Sequence, residues 1–420
     1  MKYKDQHILI VGGGFAGLSV AKKLKNFPGR ITIIDKYNHH LFQPLLYQVA
    51  TAALSPGDIA APIRAILGKN SKARVLLGEV KKIDINGKFL TLTDDRTIEF
   101  EKLILAPGVK YNYFGNDDWE NFAPGLKTIG DALKIRERIL LSLEEAEQYD
   151  DPVLRKPYLT YVIIGGGPTG VEMAGAIAEI AKRSMRYNFQ NLKEEEIRIF
   201  LIEATANILN GFPDPLGDKG IKMLEDLGVK VLRNSPVTSI EKNKVFLNEE
   251  IIETANIIWA AGIKAHPLLE SLPVEKDNLG RIHVNQDLSI PNFPDIYVLG
   301  DAAHFKDPTG NPLPALASVA SQQGEFLGKL LSGDGRNKGS KPVFKYVDKG
   351  QMATIGRAKA VADIKGFKFS GFFAWFLWSA VHILLLIGFR NRLRVFIEWM
   401  WNYFTFKRGV QLITDRTDCK

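Results

Sequence analysis

The 420 residues are 45% hydrophobic and 24% charged, a globular balance that excludes disordered, collagen-like and coiled-coil chains and leaves room for two or three domains. The one cysteine, Cys419, excludes a disulfide framework, a cysteine-rich zinc site and an intrachain redox pair, so redox chemistry needs a bound cofactor. The net charge of +8 is lopsided: from Gly335 onward 16 Lys+Arg face 5 Asp+Glu, a net of +11, while the first 334 residues sum to −3, which points the basic end at an anionic surface.

The opening MKYKDQHILIV runs straight into a strand pattern rather than a secretory signal. His7–Val11 is apolar and meets GGGFAG at Gly12–Gly17. A helical stretch follows to about Lys25, and a second apolar run, Ile31–Ile34, ends in Asp35. The same unit returns as Tyr161–Ile164, GGGPTG at Gly165–Gly170, a helix to about Asn188, and Arg198–Ile202 ending at Glu203. LILAPGV (Leu103–Val109) is echoed by IIWAAGI (Ile257–Ile263). The two pairs are offset by 153 and 154 residues, which marks an internal repeat. Asp150–Pro157 reads as a crossing linker, with a return near Leu279–Ile290. Ile296–Leu299 is a buried strand before GDAA (Gly300–Ala303), read as a helix start; Pro314–Leu331 reads as a helix and Ser332–Pro342 as a polar loop. The expected fold is α/β: two Rossmann-like dinucleotide-binding domains, one discontinuous over 1–157 and 280–334 and one over 158–279. A C-terminal membrane-associating helical region, 335–420, completes it.

In a GxGxxG turn the first glycine makes the bend, the second admits a pyrophosphate and the third lets helix and strand pack closely. The helix N-terminus then offers free N–H groups to the phosphates. These are Gly12, Gly14 and Gly17, then Gly165, Gly167 and Gly170. One such turn alone is weak; two, each between a strand and a helix and each followed by a strand ending in an acid, read as dinucleotide sites. Asp35 lies 23 residues after Gly12 and Glu203 lies 38 after Gly165, both placed for ribose hydroxyls. The acid at Glu203, followed by Ala204, Thr205 and Ala206 with no Arg, favours NADH over NADPH. FAD is expected in the first domain and NADH in the second, with Asp301 of GDAA on the flavin's ribityl and pyrophosphate side. As plain structure, Glu203 would be a solvated strand end and Asp301 a helix cap. His39, His40 and His304 lack the spacing of a ligand set, so no metal is expected.

With these motifs the chain resembles the two-dinucleotide-binding-domain flavoproteins. FQPLLYQVATAALSPGDIA (Phe42–Ala60), LPALASVASQQG (Leu313–Gly324) and HILLLIGFRNRLRVFIEWMWNYFTFKRGVQLI (His382–Ile413) narrow this. Together they are similar to type II NADH dehydrogenases, single-subunit NADH:quinone oxidoreductases that do not pump protons. The resemblance implies two electrons passing from NADH through FAD to a membrane quinone, ubiquinone or menaquinone, in a respiratory chain. It implies catalytic roles for Glu172 and Gln322. It implies cofactor contacts at Gly12, Gly13, Gly14, Phe15, Ala16, Gly17, Asp35, Lys36, Gln48, Val80, Ala106, Gly108, Asp301, Ala317, Ser318 and Lys365. On the nucleotide side it implies Gly165, Gly167, Gly170, Glu203 and Gly262. The family's AQxAxQ pattern here reads Ala317-Ser318-Val319-Ala320-Ser321-Gln322, with Ser318 in place of the first glutamine. Sulfide:quinone and disulfide reductases share the architecture but need cysteines this chain lacks. A ferredoxin-type reductase leaves the apolar tail unexplained. A flavin- and NADH-binding sensor without steady turnover is the rival from outside the enzymes.

Phe369–Phe389 holds 21 residues without a formal charge, long enough as one helix to cross a bilayer. Basic residues flank both sides, Lys365 and Lys368 before and Arg390, Arg392 and Arg394 after, so orientation is unspecified. The aromatic-rich Leu393–Phe406 suits a lipid interface. Two helices lying in one leaflet are expected, on the cytoplasmic face of the inner membrane. A homodimer is compatible with this. Nucleic acid is not expected, because the basic residues adjoin an apolar run.

Overall fold

The computed structural model describes residues 6–69, 71–248, 250–333, 343–405 and 410–413. Cys419 and most of the expected 332–342 loop lie outside them. Two compact units result. The first comprises Met1–Leu41, Ala60–Lys110 and Ile263–Asp348; the second comprises Phe42–Ile59, Tyr111–Gly262 and Lys349–Lys420.

In the first unit His7–Val11 is buried at all five positions, the mark of a parallel strand covered on both faces. It lies between Arg30–Asp35 and Lys102–Leu105, both parallel to it. Ala73–Leu77 extends one side, and Phe293–Val298 and Ser289–Ile290 extend the other. The helices Phe15–Lys23 and Ala317–Ser332 pack on each other very closely: a Cβ on Gly324 would lie 2.3 Å from the Ala16 carbonyl oxygen. The helix expected from Pro314 begins three residues later, at Ala317. GDAA opens no helix; Gly300–Ala302 is a single 3-10 turn leading into a short strand.

In the second unit a parallel sheet runs Val229–Leu232, Arg198–Ile202, Thr160–Ile164, Asn256–Trp259. The helix Pro168–Asn188 follows its central strand. A second sheet, Gln351–Gly356, Lys359–Ile364 and Phe367–Ser370, is antiparallel. The unit boundary falls at Ile263 rather than near residue 280, and 111–157 groups with the second sheet system. Asn256 Nδ2, on the parallel sheet, donates to Ser142 Oγ at 2.7 Å, and Ser142 lies on the helix Ile129–Glu147. Phe42–Ile59 joins this unit through Trp399 Nε1, which donates to Gln48 Oε1 at 2.7 Å.

The uncharged run 369–389 is not one helix. Phe367–Ser370 is strand, Gly371 has φ +82, and the helix Phe372–Leu385 has 14 residues, about 21 Å at 1.5 Å per residue. Gly388, φ +89, separates it from the helix Phe389–Thr405. Among the described residues no helix is long and apolar enough to cross a membrane.

Candidate active site

The two glycine turns have the same geometry in their separate units. Gly12 has φ +100, and a Cβ there would sit 2.2 Å from the Ala106 carbonyl oxygen. Gly165 has φ +113, and its Cβ would sit 2.7 Å from the Ala260 carbonyl carbon. Only glycine takes that conformation at no steric cost. A Cβ on Gly14 or Gly167 would meet nothing within 4 Å among the described residues, so the turn has an open face there. A Cβ on Gly17 or Gly170 would lie 1.9 Å from the carbonyl oxygen of Gly12 or Gly165. The helix Phe15–Lys23 starts after Gly14 without a side-chain cap among the described residues.

Each strand-end acid grips its turn. Asp35 Oδ2 accepts from the Gly13 N–H at 2.6 Å and Oδ1 from the Tyr37 N–H at 2.7 Å. Glu203 Oε2 accepts from the Gly166 N–H at 2.7 Å and Oε1 from the Thr205 N–H at 2.8 Å. Burial pushes the Asp35 carboxyl upward against the pull of its two amide donors. His40 is buried, its Nδ1 lies 3.3 Å from the Gly13 carbonyl oxygen, and burial lowers its pKa to about 4. Among the described residues no group of three or more His, Cys, Asp or Glu could hold a metal.

The remaining expected residues of the first unit scatter more widely. Phe15 and Ala16 begin the first helix, and Phe15 meets the His40 ring edge-on at 4.8 Å. Lys36 is exposed over the Tyr37 ring. Val80 opens a strand, and Ala106 and Gly108 (φ +75) follow the Lys102–Leu105 strand. Asp301 sits in the 3-10 turn. Ala317 and Ser318 begin their helix, and Ser318 Oγ lies 3.0 Å from Tyr346 Oη, a partner its replacement of the family glutamine left open. Gln322 spends its amide on the Val347 backbone, donating and accepting at 3.0 Å. Gln323 is the buried one, accepting from the Gly300 N–H at 2.6 Å.

The second unit contains a cavity of about 120 Å³. Glu172, Ala176 and Glu179 line it at i, i+4 and i+7, one face of the Pro168–Asn188 helix. That helix is pressed onto the Gln351–Gly356 strand at Gly175, whose Cβ would lie 2.0 Å from the Ile355 carbonyl oxygen. The contact brings Thr354, Gly356 and Arg357 onto the wall. Trp375, Trp378 and Ser379 come from one face of the Phe372–Leu385 helix, and Trp399, Asn402 and Tyr403 from one face of Phe389–Thr405. Tyr47, Gln48, Thr51 and Ala53 complete it. Gly175→Ala is expected to lower stability by roughly 1–3 kcal/mol, because a backbone oxygen stands where the methyl would go. Gly57→Ala, with nothing within 4 Å, should stay within about 0.5 kcal/mol; urea midpoints of the two variants check this.

Two expected residues, Gln48 and Glu172, meet on this wall. Gln48 is buried, with Nε2 donating to Tyr47 Oη at 2.8 Å and Oε1 taken by Trp399. Glu172 is half-buried, and burial raises its pKa to about 8 against the pull of the Thr354 backbone hydrogen bond. The Arg357 guanidinium lies over the Tyr403 ring at 4.2 Å, and the Arg357 backbone N–H donates to Glu179 Oε1. Lys365 does not join them: it is exposed in the turn between two strands, at φ +52. Gly262, φ +63, packs under Phe114, where a Cβ would lie 2.6 Å from Cζ. Trp399 and Tyr403, expected at the lipid interface, line the cavity instead, and Trp375 and Trp378 were not expected as site residues. Their 3-residue spacing on one helix face, Trp375 and Trp378, was the available signal.

Residues 6–324 match the pyridine nucleotide-disulphide oxidoreductase family, and residues 349–408 match the NDH2 C-terminal domain family. The type II NADH:quinone oxidoreductase Ndh of Mycobacterium tuberculosis is 38% identical over 98% of this chain and 91% of its own length. NdhA, the type II NADH:quinone oxidoreductase from the same organism, is 39% identical over 97% and 89%. The solved structure of NDH2 from Plasmodium falciparum in complex with NADH has a TM-score of 0.89 at 23% identity, covering 97% of this chain and 99% of that one.

Proposed function

The chain belongs to the type II NADH:quinone oxidoreductase family, and from that premise we propose how its residues divide the work. It is an NADH dehydrogenase that uses FAD and NADH and reduces quinone. FAD, when bound, supplies the two-electron chemistry that links a hydride donor to a quinone. In the first unit the open face at Gly14 and the uncapped helix start fit a pyrophosphate, with Asp35 beside it for a ribose. In the second unit the same pattern at Gly167 and Glu203 takes NADH. Glu203→Ala should raise the preference for NADPH on the order of tenfold by removing a charge that repels a 2′-phosphate. The ratio of kcat/KM values for the two nucleotides reads this directly.

The aromatic-walled cavity receives the quinone head group, and Glu172 supplies a proton to the reduced oxygen. The observation that carries this is a carboxyl with a pKa of about 8 on the wall of a cavity otherwise rich in Trp and Tyr. A group that stays protonated at neutral pH can donate where charge develops. The outward faces of the same two helices expose Phe373, Phe376, Phe396, Ile397, Trp401 and Phe404. With Arg390, Arg392 and Arg394 exposed among them, this surface fits the headgroup layer of a membrane rather than nucleic acid. We place it on the cytoplasmic face of the inner membrane, with ubiquinone or menaquinone as acceptor and room for a homodimer. The test is anaerobic stopped-flow absorbance of the holoenzyme: NADH should bleach the flavin, and a short-chain quinone should restore its colour. Bleaching without recovery would defeat the quinone assignment.

A further inference from the structure

Trp378 is 2% exposed and lines the cavity, and its indole Nε1–H has no hydrogen-bond partner among the described residues. An indole N–H can only donate, and a buried donor left unmade is costly. Of the other polar groups on this wall, Asn402 Oδ1, an acceptor, also has no partner among the described residues, while three are engaged. Trp399 Nε1 is held by Gln48, Ser379 Oγ donates to the Trp375 carbonyl at 2.9 Å, and Thr51 Oγ1 donates to the Tyr47 carbonyl at 2.9 Å. The Trp378 ring is fixed in place by stacking on His382 at 4.2 Å and on Trp399 at 5.4 Å. His382 in turn holds the Trp378 carbonyl oxygen through Nδ1 at 2.7 Å.

We propose that Trp378 donates its Nε1–H to a carbonyl oxygen of the bound quinone. The inference rests on the reading of this cavity as the quinone site. A quinone oxygen is an acceptor in the oxidised state and becomes a stronger one as electrons arrive. A rigid donor there therefore binds the substrate and favours its reduction. An apolar occupant would leave the N–H unmade; a quinone satisfies it.

The test uses the full-length holoenzyme with a short-chain 1,4-naphthoquinone. Trp378→Phe keeps an aromatic ring for the stack and removes only the donor. Quinone KM should rise roughly three- to tenfold, the range one neutral hydrogen bond supplies. With quinone carrying a ¹³C-labelled carbonyl, the bound carbonyl stretch should move to higher frequency in the variant than in wild type. A second readout needs no variant: with ¹⁵N-labelled tryptophan, one of the six indole N–H resonances of the wild-type chain should move downfield when quinone is added. Unchanged KM and carbonyl frequency in Trp378→Phe, or indole resonances indifferent to quinone, overturn the inference. A wild-type enzyme that is bleached by NADH but never reoxidised by quinone overturns the quinone reading itself, which is a different failure.

Discussion

Glu172→Gln should cut quinone reduction by roughly a hundredfold, the lower end of what a positioned proton donor contributes. In the wild type, kcat/KM for quinone should fall as pH rises past about 8, where Glu172 loses its proton; in the glutamine variant that limb should flatten. Burial is the main cause of the raised pKa, with the Thr354 backbone hydrogen bond opposing it. The folded protein therefore holds a proton that the unfolded chain sheds near the ordinary glutamate value of 4.5. The stability this contributes is fully present below about 4.5 and is lost as pH rises through about 8. Tyr47, Glu179, Arg357 and Tyr403 are the other titratable groups on the wall. A pH series from 6 to 9.5 on both proteins separates these effects. If Glu172→Gln keeps the wild-type descending limb, the proton donor lies elsewhere.

The nucleotide turns were legible because their chemistry is local. A glycine at each bend, an open glycine two residues on and an acid at the end of the next strand all fall within about 40 residues. The repeat offset exposed the second copy. The cavity was not legible, because it draws on Gln48, Glu172, Thr354, Trp378 and Trp399, brought together by the packing of Gly175 on Ile355 rather than by spacing. At the tail the two expected helices are present, but the first is shorter than the uncharged run. An uncharged run looks like one long helix, yet Phe367–Ser370 completes a sheet, and Gly371 and Gly388 bound a 14-residue helix that is separate from Phe389–Thr405. Adjacent glutamines could not be told apart either. Gln322 and Gln323 point different ways around one helix, and only the second is buried against the Gly300 turn.

Ile397→Glu with Trp401→Glu should release the protein from lipid vesicles. The two side chains are 55% and 58% exposed, four residues apart on one helix face. Phe389, Leu393, Phe396, Met400 and Phe404 continue the same exposed stripe. Val395 on the opposite face is fully buried. The helix Phe389–Thr405 is thus apolar on both sides, one packed into the unit and one left facing out. Moving a large apolar side chain out of water is worth roughly 1.5–3 kcal/mol, and a carboxylate in the headgroup layer opposes insertion. Two such changes are enough to shift binding on the order of a hundredfold or more. Raised salt alone should weaken binding without abolishing it, because Arg390, Arg392 and Arg394 contribute only the screened part of the attraction. Sedimentation with vesicles containing anionic lipid measures both effects. The same variant should lose turnover with a long-chain quinone dissolved in the bilayer far more than with a water-soluble one. If it still pellets with vesicles, or loses both activities equally, the exposed stripe is not the surface through which quinone and membrane meet this enzyme.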